Sequence, residues 1–79
     1  MAVVTTFERY PKRTFKQQPT QVIGFYGTFG DGSYRVLQID TLGSENREKP
    51  KKQSQTLQLN ATSAKELYDI LGREFGFSS

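Results

Sequence analysis

The chain has no cysteine, no histidine and no tryptophan, and only one methionine and three prolines in 79 residues. Without cysteine there is no disulfide, no thiolate ligand for a metal and no thiol nucleophile; without histidine the commonest general base and metal ligand are missing as well. Long apolar runs are also absent. The opening residues meet Glu8 and Arg9 before reaching the roughly 7 to 15 apolar positions of a signal peptide, and no stretch approaches the roughly 20 of a membrane span. The resulting expectation is a cytoplasmic protein with no membrane partner, no metal and no small-molecule cofactor. Catalysis has little to work with. Asp31, Asp40, Glu45 and Glu48 are the acids a metal-dependent nuclease would use, but two fall in turns or loops and no two adjoin at a useful spacing, so no catalytic residue is assigned.

Aromatic residues are what the chain does have. Six Phe and four Tyr accompany a hydrophobic fraction of only 34% and a mean hydropathy of -0.65. That is too aromatic for a disordered segment, so a folded domain is expected. A chain this short leaves roughly 40% of its unfolded surface wet. With no disulfide or metal to staple a thin core, association into a homodimer is the expected remedy. Charge is unevenly placed: residues 1–52 hold nine Lys and Arg against five Asp and Glu, whereas the remainder holds two against three. A basic half of this kind suits a polyanionic partner.

Along the chain, residues 1–20 form a basic and aromatic arm in which Pro11 permits only a short or edge strand. Residues 21–79 form a single sheet-plus-helix domain. Gln21 to Phe29 favours a strand, and Gly30-Asp31-Gly32-Ser33 then predicts a tight hairpin turn, with Asp-Gly supplying its positive φ angles. The next strand is expected over residues 33–42, followed by a polar loop over 43–52 and a strand over 53–59. Ser63-Ala64-Lys65-Glu66 fits a capping box, with Asn60 as the alternative cap. Ala64, Leu67, Tyr68, Ile70, Leu71 and Phe75 recur at helical spacing and predict one stripe facing the sheet, with Gly76 ending the helix. The expected fold is α+β: an antiparallel sheet of about four strands followed by one C-terminal amphipathic helix.

Strand alternation divides the sheet into two faces. Arg35, Leu37 and Ile39, with Leu57 and Leu59, make an apolar set, to which Ile23, Phe25 and Phe29 are assigned as partners under the helix. Val22, Gly24, Tyr26, Thr28, Tyr34, Val36, Gln38, Asp40, Thr56 and Gln58 are left on the open face. Flat rings beside cations are what a nucleic-acid single strand needs, since bases stack on the rings and cations follow the phosphates. The candidate binding residues are Lys12, Arg13, Lys16, Tyr26, Phe29, Tyr34, Arg35, Arg47, Lys49, Lys51 and Lys52. The alternative is a small adaptor subunit whose exposed tyrosine face docks on a larger enzyme. The glycines at Gly27, Gly30 and Gly32 lack the Gly-Lys-Ser/Thr ending of a phosphate loop and are explained by a hairpin. Asn60-Ala61-Thr62 matches a glycosylation sequon, with nothing else pointing to secretion.

The order of strands, basic loop, strand and single helix resembles the transcriptional coactivator family positive cofactor four, whose architecture is Whirly-like. The likeness rests on Gly32-Ser33-Tyr34-Arg35-Val36-Leu37-Gln38-Ile39-Asp40, on Glu48-Lys49-Pro50-Lys51-Lys52, and on Leu57-Gln58-Leu59-Asn60 leading into the helix. It covers about residues 22–75. The resemblance implies a homodimer joined through helices and sheet edges that binds single-stranded DNA, with a role in transcription, replication or repair. By position it implies binding roles for Phe29, Lys49, Lys51 and Lys52, and for Arg35. The chain departs from the family in lacking a glycine between Pro50 and the bases that follow, and in having no tryptophan on the strand before the loop.

Overall fold

A computed structural model describes residues 1–42 and 53–77. Its elements are β1 (Ala2–Val4), β2 (Gly24–Phe29), a 3-10 turn (Gly32–Tyr34), β3 (Val36–Leu42), β4 (Gln53–Leu59) and α1 (Ala61–Phe75). The strands form one sheet in the order β1-β4-β3-β2. β2 with β3, and β3 with β4, are antiparallel, while β1 runs parallel to β4 at the edge. This is the expected α+β fold, with one parallel pair added. That pair is possible because the chain between β1 and β4 is long enough for the crossover a parallel pairing requires. Among the described residues no helix is long and apolar enough to cross a membrane.

The β2–β3 connection is longer than the tight turn expected from Asp-Gly. Gly30 and Gly32 take the positive φ angles, 87° and 56°, while Asp31 stays extended at φ -121°. The Tyr34 N–H then donates to the Asp31 carbonyl at 2.9 Å and the Arg35 N–H to that of Gly32 at 3.3 Å, which winds residues 32–34 into the 3-10 turn. β3 therefore begins at Val36 and not at Ser33, and β2 begins at Gly24 and not at Gln21. The Arg35 guanidinium folds back over the connection, donating to the Gly30 carbonyl at 2.9 Å and to Thr28 Oγ1 at 2.7 Å.

Register fixes the faces, because directly paired residues point the same way. Leu37 pairs with Leu59 and Ile39 with Leu57, as expected for the apolar set. On β2, however, Tyr26 pairs with Ile39 and Thr28 with Leu37, whereas Phe25 pairs with Asp40 and Phe29 with Val36. The expected assignment of β2 is thus reversed: Tyr26 stands on the apolar face, and Phe25 and Phe29 stand on the polar one. The cause is the connection. Its length sets the pairing, and a shift of one residue turns every side chain of the strand over.

Helix α1 is capped by Asn60, not by Ser63. The Asn60 Oδ1 accepts the Ser63 N–H at 2.9 Å, and the Ser63 hydroxyl oxygen accepts the Asn60 N–H at 3.0 Å. This reciprocal box places Ser63 at the third helical position, where it is fully buried. Glu66 is thereby freed from the capping role expected of it. It accepts the Phe7 N–H at 2.8 Å and the Thr6 hydroxyl at 3.2 Å, tying the arm to the helix. Gly76 closes the helix in the left-handed conformation, φ 73°, as expected, its N–H donating to the Gly72 carbonyl at 3.0 Å.

The core is small. Leu59, 1% exposed, and Ser63 are the only fully buried side chains among the described residues, and β3 is half-buried along its length. A fully buried leucine contributes about 1.5–3 kcal/mol, so Leu59 matters out of proportion. The helix does not cover the sheet as expected. It meets the sheet chiefly at β4, and Tyr68 and Phe75 of its apolar stripe remain exposed, as does every residue of β2.

Candidate functional site

The polar face of the sheet carries a slot. Phe25 and Phe29, four residues apart on β2, stand about 13 Å from each other along the strand. Between them is Gly27, where a Cβ would meet nothing within 4 Å. Gly27 pairs with Gln38 and Phe25 with Asp40, so two polar side chains of β3 border the gap. Together they line an open groove of about 350 Å³.

A hydrogen-bonded chain runs beside this slot. The Gln58 amide donates to Gln38 Oε1 at 2.8 Å, Gln38 Nε2 donates to both Asp40 oxygens at 3.2 Å, and Thr56 Oγ1 donates to Asp40 Oδ1 at 2.9 Å. The carboxylate only accepts, so the Gln38 amide must turn its nitrogen toward Asp40 and its oxygen toward Gln58. One orientation satisfies both neighbours, and the network is rigid for that reason. The sequence placed Gln38, Asp40, Thr56 and Gln58 correctly on the open face, but it did not bring Phe25 to them. The Phe25-x-Gly27-x-Phe29 spacing puts a gap between two rings on one side of a strand, but it does not tell which face of the sheet that side joins.

A second groove, of about 710 Å³, lies between the arm and the C-terminal half of α1. Phe7 and Ile70 line it with Tyr10 and Phe15, and Arg9, Lys12, Arg13 and Arg73 supply its cations. Tyr10 and Phe15 meet edge to face at 5.7 Å, and the Lys12 ammonium sits 5.0 Å from the first ring and 5.2 Å from the second. Cation–π contacts at such exposed positions contribute roughly 0.5–1 kcal/mol, enough to bias the arm's shape. Arg9 also pairs with Glu74 at 3.3 Å. Arg9 and Arg73 were not among the expected binding residues, since neither stands out until the arm is laid along the helix.

The remaining expected site residues fall as follows. Lys12 and Arg13 line the second groove; Lys16 is exposed but does not line it. Tyr26 and Tyr34 are 80% and 84% exposed, the first on the apolar face and the second in the 3-10 turn. Phe29 borders the slot. Arg35, although exposed, spends hydrogen bonds on Gly30 and Thr28. Arg47, Lys49, Lys51 and Lys52 lie outside the described residues. Among the described residues no three acidic side chains converge as metal ligands. No protein-family model, curated protein or solved structure matches the chain.

Proposed function

We propose that the chain is a non-enzymatic nucleic-acid-binding protein that lays a single strand of DNA or RNA across the polar face of its sheet and acts as a homodimer. The observation that carries this is the pair Phe25 and Phe29, exposed on a face that also carries Gln38, Asp40, Thr56 and Gln58 beside Val3 and Val36. Exposed rings on a polar sheet are stacking platforms, and each base stacked is worth roughly 1–3 kcal/mol. The chain also carries cations suited to phosphate, Lys12 and Arg13 in the arm–helix groove and Arg47, Lys49, Lys51 and Lys52 in the sequence joining β3 to β4. The resemblance to the positive cofactor four coactivators supports the same role, in transcription, replication or repair.

One feature supports the dimer. Among the described residues no further strand pairs with the outer edge of β2, and Gly24–Phe29 holds no charge and no proline. Sheet edges of that kind recruit another strand.

The test is retention of a labelled oligonucleotide by the parent and by a Phe25→Ala/Phe29→Ala double variant. Loss of two stacking platforms is expected to weaken binding at least about tenfold; equal retention overturns the assignment. Tyr26, exposed beside Ile39 and Leu57, favours one other role, that of an adaptor docking on a larger protein through the apolar face. Recovery of one stoichiometric protein from nuclease-treated lysate, with no oligonucleotide binding, is the outcome that supports it.

A further inference from the structure

We infer that the groove between the arm and α1 holds the phosphorylated end of a bound strand, with Arg13 and Arg73 gripping the terminal phosphate. The inference rests on the single-strand-binding role proposed above and adds an end-binding site to it.

Two ties build the groove. Glu66 holds the Phe7 amide, and Glu74 pairs with Arg9. Ile70 lies one helical turn from each, so the three residues stand in one row and the arm is strapped along it. Beyond Arg9 the chain curls until Phe15 meets Tyr10, with the Lys12 ammonium over both rings. The space between curl and helix has half-buried Phe7 and Ile70 in its wall, and four cations against one acid, Glu8. No residue lines both this groove and the slot on β2. A strand lying on the sheet reaches the groove only by leaving the sheet, which a free end does most readily.

Two of the four cations are unspent. Arg9 is paired with Glu74 and Lys12 rests on the rings, whereas Arg13 and Arg73 have no hydrogen-bond or ion-pair partner among the described residues. They come from different elements and border one space. Each guanidinium is a planar fork of donors that pairs bidentately with phosphate. A terminal phosphate carries about -1.5 to -2 charge and three free oxygens, enough for both forks; a phosphate inside the strand carries one charge and two such oxygens. A carboxylate, the anion of an acidic peptide, brings no more than the latter. Apolar walls focus the field of the cations. The negative end of the α1 dipole opposes an anion here, but it amounts to about half a charge against four cations. The last base of a strand has one bare face, and the exposed rings of Tyr10 and Phe15 line the same groove to receive it.

The experiment is fluorescence anisotropy of the full chain with internally labelled oligothymidylate bearing a 5′ phosphate, a 3′ phosphate or hydroxyls at both ends. One or both phosphorylated oligomers are expected to bind about fivefold more tightly than the hydroxyl form, the upper worth of an exposed charge pair. The gain is expected to shrink as salt rises. Arg13→Ala/Arg73→Ala should bring the ratio of the two affinities to about one, whatever it does to the affinity of the hydroxyl form. Thymidine monophosphate should erase the gain only at concentrations well above the oligomer's, and an oligoglutamate peptide should not erase it. Equal affinity for phosphorylated and hydroxyl oligomers, or a gain kept by the double variant, overturns the inference alone. So does thymidine monophosphate bound as tightly as the phosphorylated oligomer, or oligoglutamate competing as well as the monophosphate. Failure of every oligomer to bind overturns the single-strand role as well. The comparison of oligomer ends uses the unaltered chain, so the result does not depend on whether the variant folds.

Discussion

The Glu66 carboxylate, in the second turn of α1, accepts the backbone N–H of Phe7 at 2.8 Å across 59 positions of sequence. One side chain thereby fixes where the arm leaves the sheet and starts along the helix. Removing it strands a half-buried amide, which costs about 1–3 kcal/mol. Glu66→Ala is expected to lower the urea midpoint accordingly and to speed amide exchange over residues 4–7. Glu66→Gln keeps an acceptor oxygen and is expected to lose less.

Asn60 and Ser63 satisfy each other's backbone amides and act as a unit. Asn60→Ala is expected to destabilise the fold by about 1 kcal/mol. The Asn60→Ala/Ser63→Ala double variant is expected to fall short of the sum of the single losses, because each single change already breaks the shared box. Denaturant melts of the three variants measure this directly.

Gly30 has no tolerance for a side chain. Its φ is 87°, and a Cβ there would run into the backbone carbonyl of Tyr34. Gly30→Ala is expected to cost more than about 1 kcal/mol, through strain and collision together. Gly32, also at positive φ but with open space around it, is the comparison: Gly32→Ala is expected to cost less in the same melt.

Sedimentation of the chain is expected to give twice its 9.0 kDa mass. Tyr26→Lys places a charge on the apolar face at the unprotected edge strand, and it is expected to shift the equilibrium toward monomer. A parent chain that sediments as a monomer at micromolar concentration removes the dimer from the proposal.

Under the proposed role, the arm–helix groove and the slot are expected to make separable contributions to binding. Lys12→Ala/Arg13→Ala/Arg73→Ala is expected to flatten the plot of log affinity against log salt, by about 0.7 for each phosphate no longer neutralised. Phe25→Ala/Phe29→Ala is expected to lower affinity at every salt concentration and leave the slope unchanged. An unchanged slope in the triple variant removes the groove from the binding path.

Much of the fold was legible in the residues. The expected strand over 53–59 coincides with β4, because alternating leucines fix its phase, and Gly76 ends α1 because a left-handed terminus favours glycine. What failed was the phase of β2. Phe25, Tyr26 and Phe29 give both of its faces an aromatic ring, and both faces are exposed, so hydrophobicity does not distinguish inside from outside. Only pairing with β3 decides, and pairing depends on a connection whose 3-10 turn replaces the tight hairpin. The two possible caps were a similar case: Asn60 and Ser63 are both good capping residues three apart, and the structure uses both, with Asn60 as the cap and Ser63 as its reciprocal partner. The arm groove was hidden for a different reason. Arg73 and Arg9 are distant in sequence, and nothing local announces that Glu66 and Glu74 draw the arm along the helix.

The pairing of Val4 with Leu59 joins residues 55 positions apart. The β2–β3 hairpin can zip up from its own turn, but this clasp needs a far longer loop to close. Leu59, the one apolar side chain sealed from water among the described residues, is therefore expected to be covered late on that flank, and a change in residues 2–4 is expected to speed unfolding more than it slows folding.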